Sequence, residues 1–303
     1  MHTRRHFVKS SAAFSVAALT GSLAGAYGLA SGRADRLKIG VIGCGGRGTG
    51  AAANALEAGS DVEIVALGDA FAERVESCRR NLGQIDEAYR DRVKVTDDKC
   101  FSGLDAYKRV IHSGVDMVIL ATPPHFRPMQ IAEAVRAGKH VFAEKPVAVD
   151  PVGVRVVLAA ADEADAKGLR FVAGTQRRHQ RSYLEAMAKV REGTIGRITG
   201  GSCYWNQGGL WVTERKSEWS EMEWQLRNWL YFTWLSGDHI TEQHVHNLDV
   251  MNWAIGDHPV SCVGMGGRQV RTEPKYGHIF DHFAIEYTYP GGITVTSFCR
   301  QMP

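Results

Sequence analysis

Two stretches of this chain hold residues whose types and spacing can do chemistry. The first is Gly43-Cys44-Gly45-Gly46-Arg47-Gly48, a GxGxxG. Glycines at these spacings allow a tight turn at Gly43, close backbone approach to a pyrophosphate at Gly45, and close helix–strand packing at Gly48. The N-terminus of the helix that follows would turn free N–H groups and a positive dipole end toward the phosphates. The second stretch is His239-Ile240-Thr241-Glu242-Gln243-His244-Val245-His246-Asn247-Leu248-Asp249. On a helix turning about 100° per residue, His239, Glu242, His246 and Asp249 share a narrow arc, and His244 points the other way. Such a stripe suits proton transfer. It also suits a metal, through His239, Glu242 and His246, but HExxH spacing is absent and no metal is expected. A third reading is a solvated helix face.

These residues need elements to hold them. Residues 37–43 are a β-branched apolar run, as in a buried parallel strand, and residues 49–58 read as an Ala-rich helix. The glycine motif therefore sits between strand and helix, the context it requires. A second strand ends in Asp69, about 20 residues past the glycines, where an acid bonds the adenosine ribose hydroxyls. A carboxylate there favours NAD over NADP, with nearby Arg74 leaving NADP possible. Strands at 93–95, 115–121 and 140–143 alternate with helices at 104–112 and 126–137, which implies a doubly wound parallel sheet. Ligands bind such sheets at the carboxyl ends of the strands. The loops Thr122-Pro123-Pro124-His125 and Glu144-Lys145-Pro146 lie there.

With GVIGCGGRG, ATPPH and AEKP in this order, the chain over about residues 35–303 resembles the Gfo/Idh/MocA oxidoreductases. The resemblance implies a Rossmann domain (35–150) and a second domain (151–303) for substrate and oligomerisation, built on a large, open, mainly antiparallel sheet. It implies that the Lys of EKP, here Lys145, lies beside the nicotinamide and the reacting carbon. An ammonium there stabilises negative charge on the substrate oxygen and can relay its proton. The family also has an Asp and, four residues on, a His facing the nicotinamide; Glu242 and His246 match. His246 is then the general acid–base, oriented by Glu242 or Asp249. The cofactor site is expected to comprise Gly43, Gly45, Gly46, Arg47, Gly48, Asp69, Thr122, Pro123, His125, Glu144 and Lys145. Lys145, Arg178, His246 and Asp249 are expected to meet the substrate. Two departures stand out: Pro124 replaces an Asn, and Arg127 replaces a His.

The second half should open with a helix to about residue 167 and a strand at 170–174. Long strands follow at 198–205, 260–266, 282–289 and 293–300. Pro290-Gly291-Gly292 should join the last two as a hairpin. The chain stops just after a strand where family members run on, so an incomplete C-terminus is expected. Six tryptophans between Trp205 and Trp234 offer either faces for a sugar ring or an interface. Either way they should wall the cleft. The open sheet suggests a homo-oligomer.

Apolar residues make up 44% and charged residues 23%, a globular balance. The net charge of +3 is carried by Arg4, Arg5 and Lys9, so no basic surplus remains for nucleic acid. The six cysteines lack a CxxC and are expected to be free and buried. Thr3-Arg4-Arg5-His6-Phe7-Val8-Lys9, followed by a weakly apolar stretch, resembles a twin-arginine signal. Residues 1–34 should therefore engage the twin-arginine export machinery and send a folded protein to the periplasm, or anchor it in the membrane if uncleaved. Nicotinamide cofactor is scarce there, so the cofactor should be held tightly and restored in each cycle. Two enzymes fit: an oxidoreductase acting on the CH–OH of a sugar or polyol, or a redox-neutral glycosidase working by transient oxidation, elimination and hydration. A non-catalytic sugar-binding protein is the third possibility.

Overall fold

The computed structural model describes residues 36–302. The twin-arginine motif and the apolar stretch behind it lie outside them. No helix among the described residues is long and apolar enough to cross a membrane.

Six parallel strands form the first sheet: β1 (Leu37–Ile42), β2 (Val62–Asp69), β3 (Cys100–Ser102), β4 (Met117–Leu120), β5 (His140–Ala143) and β6 (Phe171–Ala173). Their order is β3-β2-β1-β4-β5-β6. The order reverses beside β1, which opens a crevice at its carboxyl end. Ile39, Val41 and Ile42 of β1 are buried, as a strand covered on both faces requires. On one face α1 (Gly46–Ala58) and α2 (Ala72–Leu82) pack Ala52, Leu56, Val75 and Leu82 against Ile39, Val41, Ile64 and Leu67. On the other, α3 (Ala106–Ile111), α4 (Arg127–Arg136) and α5 (Pro151–Ala166) pack Val110, Ile131, Val135 and Val157 against Ile42, Val118 and Leu120.

Two expectations change here. Val93 makes only an isolated bridge to Ile64. The third strand is Cys100–Ser102, which pairs with Leu67–Asp69 nearer the ligand end. The parallel sheet also continues past residue 150. Asp150 caps α5 by accepting the Gly153 N–H at 2.6 Å, with Pro151 in the first turn. That helix leads to β6, which pairs with β5.

After α6 (Arg181–Arg191) comes the second sheet: β7 (Gly200–Gln207), β8 (Ser261–Gly267), β9 (His282–Thr288) and β10 (Thr294–Gln301), in the order β7-β10-β9-β8. The expected hairpin joins β9 to β10, with Gly291 and Gly292 at φ +78° and +76°, where glycine carries no Cβ penalty. β8 and β9 are antiparallel, while β7 runs parallel to β10. One face packs Cys203, Val295 and Tyr289 against Leu248, Met251 and Ile255. Across the other, Tyr204, Phe298, Ala284 and Met265 lie in one cross-strand row. Tyr204, Phe298 and Met265 are exposed.

Between β7 and β8 the chain forms α7 (Glu221–Arg227), α8 (Asp238–Glu242) and α9 (Val245–Ile255). The single helix expected over 239–249 is therefore two. The turn widens at the junction, where the His244 N–H reaches the His239 carbonyl, five residues back, at 3.1 Å. His244, expected off the stripe formed by His239, Glu242, His246 and Asp249, is fully buried, with its Nε2 2.7 Å from Ser297 Oγ on β10. Burying that ring among polar partners replaces the regular helical register.

Candidate active site

The glycine loop is built as its spacing requires. Gly43 has φ +94°, and a Cβ there would sit 2.6 Å from the Ala121 carbonyl carbon and the Thr122 nitrogen. A Cβ on Gly48 would lie 1.8 Å from the Gly43 oxygen. Gly45 differs: a Cβ there would find nothing nearer than an Arg74 nitrogen at 3.5 Å. Two glycines thus serve packing, and the third leaves backbone open to the cleft. No side chain caps the N-terminus of α1, so its orphan N–H groups are left for an anion.

Asp69, at the end of β2, accepts the Cys44 N–H at 2.7 Å and the Phe71 N–H at 3.0 Å. Burial pushes its carboxyl above the usual range. The cleft beside it is lined by Gly43, Gly45, Asp69, Phe71, Thr122 and Pro123, among others. Uncapped helix N–H groups, an open glycine and a strand-end acid around one cleft fit a dinucleotide.

At the end of β5 the chain turns through Glu144-Lys145-Pro146, with a cis peptide before Pro146. The Lys145 amine donates to Glu242 Oε1 at 2.9 Å and to the Glu242 carbonyl oxygen. Both side chains are largely buried, at 13% and 9% exposure. The His246 ring, also buried, stacks on Trp205 with centroids 5.8 Å apart. Burial, reinforced by the positive charges of Lys145 and Arg177, pushes its pKa down to about 4. The imidazole is therefore neutral at ordinary pH. Lys145 is thus one of the charges felt at the His246 ring.

The chain matches two family models in sequence. Residues 37–171 match the oxidoreductase family with an NAD-binding Rossmann fold, and residues 183–302 match the GFO/IDH/MocA C-terminal domain. The chain belongs to the Gfo/Idh/MocA family. It is 29% identical over 195 residues to 2,7-anhydro-N-acetylneuraminate hydratase of Escherichia coli, a match covering 64% of this chain and 48% of that protein. It is 24% identical over 225 residues to inositol 2-dehydrogenase of Rhizobium meliloti, covering 74% and 57%. The chain thus spans about half the length of these curated relatives. Among solved structures, the aldose-aldose oxidoreductase from Caulobacter crescentus complexed with glycerol superposes with a TM-score of 0.66 at 20% identity. That match covers 88% of this chain and 71% of that one.

Within this Gfo/Idh/MocA frame several expected contacts differ. Glu242 does not orient His246: its carboxylate takes the Lys145 amine and the Gln243 amide. Asp249 is forked by Arg178, with Nε at 2.8 and 3.0 Å and Nη2 at 2.8 Å. The pair pins residues 176–179 to α9, and the Asp249 charge is felt at His246. Arg47 and Glu144 likewise bind each other, at 2.5 and 2.6 Å. They clasp the glycine loop to the Lys145 loop, whereas both had been expected to touch cofactor. His125 packs edge-on against Phe126 and Trp234 and is not among the residues lining the cleft. His239 lies with Nε2 3.3 Å from the Trp205 carbonyl. With Glu242 on Lys145, the His239, Glu242 and His246 side chains go to separate partners.

Three further residues shape the site through contacts that the sequence did not show. Arg177 lies 5.3 Å over the Trp205 ring and donates to Asn247 Oδ1. Trp205 itself has both the Arg177 guanidinium and the His246 ring against its indole. Arg127, where the family has a His, is buried under the Lys145 loop and donates to the Pro146 carbonyl at 2.6 Å. Burial lowers its pKa to about 10. The sequence placed Arg177 beside Arg178, but only the turn of the short helix at 176–179 decides which of them faces the site. Of the cysteines, Cys44, Cys78, Cys203 and Cys299 are buried as expected; Cys262 is exposed and Cys100 is intermediate.

Proposed function

We propose that this chain takes hydride from a CH–OH carbon of a sugar or polyol and that its nicotinamide cofactor stays bound and is restored in place. The observation that carries the reading is the buried pairing of Lys145, on the loop after β5, with Glu242 from the C-terminal half, with the Lys145 charge felt at buried His246. When bound, NAD supplies the hydride acceptor. Gly45 and the α1 N-terminus would hold its pyrophosphate, and Asp69 its ribose. The chain's own residues handle the proton. Neutral His246 accepts it from the substrate hydroxyl, and the Lys145 amine stabilises negative charge on that oxygen. Glu242 fixes the amine in position. The names of the inositol dehydrogenase and aldose-aldose oxidoreductase relatives support a carbohydrate CH–OH. Export rests on Arg4-Arg5 and the apolar run behind them. Self-association is supported by the exposed Tyr204–Phe298–Met265 row, and light scattering of the purified chain tests it.

The hydratase relative favours one second reading. There, oxidation at one carbon acidifies the neighbouring C–H, elimination breaks a C–O bond, water adds, and the hydride returns, leaving no net redox change. One experiment separates the readings. The purified protein is denatured and released NAD or NADP is identified by chromatography. Native protein is then offered sugars, polyols and aryl glycosides without added cofactor. Paired oxidation and reduction supports the first reading, and glycoside cleavage supports the second. Sugar binding without released cofactor, unchanged in Lys145→Ala, would refute both.

A further inference from the structure

The Asp69 end of the cleft has two lips, and they come from opposite halves of the chain. One is Phe71, just after β2. The other is Leu226 and Trp229, at and beyond the end of α7; all three residues line the cleft. Arg227 joins the lips. Its guanidinium lies 3.8 Å from the Phe71 ring centre and 4.8 Å from that of Trp219. Nη1 pairs with Glu73 on α2 at 2.6 Å, and Nε with Glu223 at 2.9 Å. Behind it, α7 is fixed to its own half. Ser220 Oγ caps it at the Glu223 N–H, and buried Trp224 donates to the Thr213 carbonyl at 3.0 Å. Fully buried Asn228 accepts the Thr213 N–H at 2.9 Å and donates to the Lys275 carbonyl at 2.8 Å.

We propose that α7 is a retention strap over the ribose end of the cofactor cleft, pinned shut by Arg227 on Glu73 and Phe71. The proposal rests on the reading that this cleft holds a nicotinamide dinucleotide. The α7 side is braced by buried hydrogen bonds, while the pin is an ion pair and a cation–π contact near the surface. Opening therefore happens at the pin. A dinucleotide leaving past Phe71 must part Arg227 from both partners first. An enzyme that restores its cofactor in place needs this slow step, and one that exchanges cofactor each turnover does not.

The test is the dissociation rate of NAD from the full-length protein, followed by displacement with excess NADH and by NAD content after prolonged dialysis. Arg227→Ala should release NAD about tenfold faster or more, the scale of losing a partly desolvated cation–π contact together with its ion pair. Glu73→Gln removes only the charge of a half-exposed helix residue, so it decides the matter should Arg227→Ala fold poorly. It should release NAD several-fold faster at low salt. Raising ionic strength should bring wild type toward the variant's rate. Release from folded Glu73→Gln and Arg227→Ala at the wild-type rate overturns the strap while leaving the cofactor reading intact. A wild-type protein that neither holds nor binds NAD overturns that reading, and the strap with it.

Discussion

Lys145 and Glu242, 97 positions apart in sequence, form a largely buried ion pair that joins the loop after β5 to α8. Removing one partner strands a charge away from water, at a cost of about 3–5 kcal/mol. Lys145→Ala should therefore lose turnover by about 10²–10⁴-fold and also melt lower. It should keep its cofactor, because the glycine loop is untouched. The double variant Lys145→Met, Glu242→Gln leaves no stranded charge, so it should recover most of the lost stability and none of the activity. Melting curves, NAD content and kcat for the two proteins decide this. Wild-type turnover in either one would remove Lys145 from the chemistry.

His246 is neutral because burial and the nearby cations Lys145 and Arg177 make its protonated form costly. Arg177→Ala deletes one of those cations and makes the imidazolium cheaper, so the His246 pKa must rise from about 4 toward 6.5. The acid limb of the pH–activity profile should move to higher pH in Arg177→Ala. His246→Ala should lose most activity at every pH. An acid limb that stays in place in Arg177→Ala would show that another group sets it.

Gly45 and Gly48 stand three residues apart in one motif and should fail differently. A Cβ on Gly48 meets the Gly43 oxygen at 1.8 Å. Gly48→Ala must move backbone, and it should lose about 1–3 kcal/mol of stability as well as NAD binding. A Cβ on Gly45 meets only the end of a flexible arginine. Gly45→Val should therefore melt like wild type without NAD and lose the stabilisation that NAD gives. Thermal melts with and without NAD separate the two, and equal NAD stabilisation of Gly45→Val would place the pyrophosphate elsewhere.

What was readable in the sequence was local. The strand–glycine–helix unit, Asp69 and the β9–β10 hairpin follow from periodicity and turn chemistry over a few residues, and the structure contains each of them. What was misread depended on partners far away in the chain. Arg178 with Asp249 and Arg47 with Glu144 span separations that no helical or strand period encodes. The helix over 239–249 fails for the same reason. Its local pattern is a good helix, but Ser297, fifty-three residues on, draws His244 inward and widens the turn. A stripe that helical geometry puts on one arc is thereby shared out between Trp205, Lys145 and Arg178.

Buried histidines also set how the fold answers to acid. His244 and His246 both have pKa values of about 4 in the folded protein, pushed down chiefly by burial, against ~6.5 when unfolded. Between those values the unfolded chain binds more protons, so stability falls as pH drops from about 6.5 to 4, by about 3 kcal/mol for each ring. Below pH 4 both states are protonated and the loss levels off. Asp238 opposes this. Burial raises its carboxyl to about 6, so between pH 6 and its unfolded value near 3.9 the folded state binds the extra proton. Acidification through that window adds stability, offsetting most of one histidine. Wild type should thus lose only a few kcal/mol between pH 6.5 and 4. Asp238→Asn, which cannot take up that proton, should lose more over the same range. Urea unfolding at several pH values measures both slopes, and parallel slopes for the two proteins would exclude Asp238 as the counterweight.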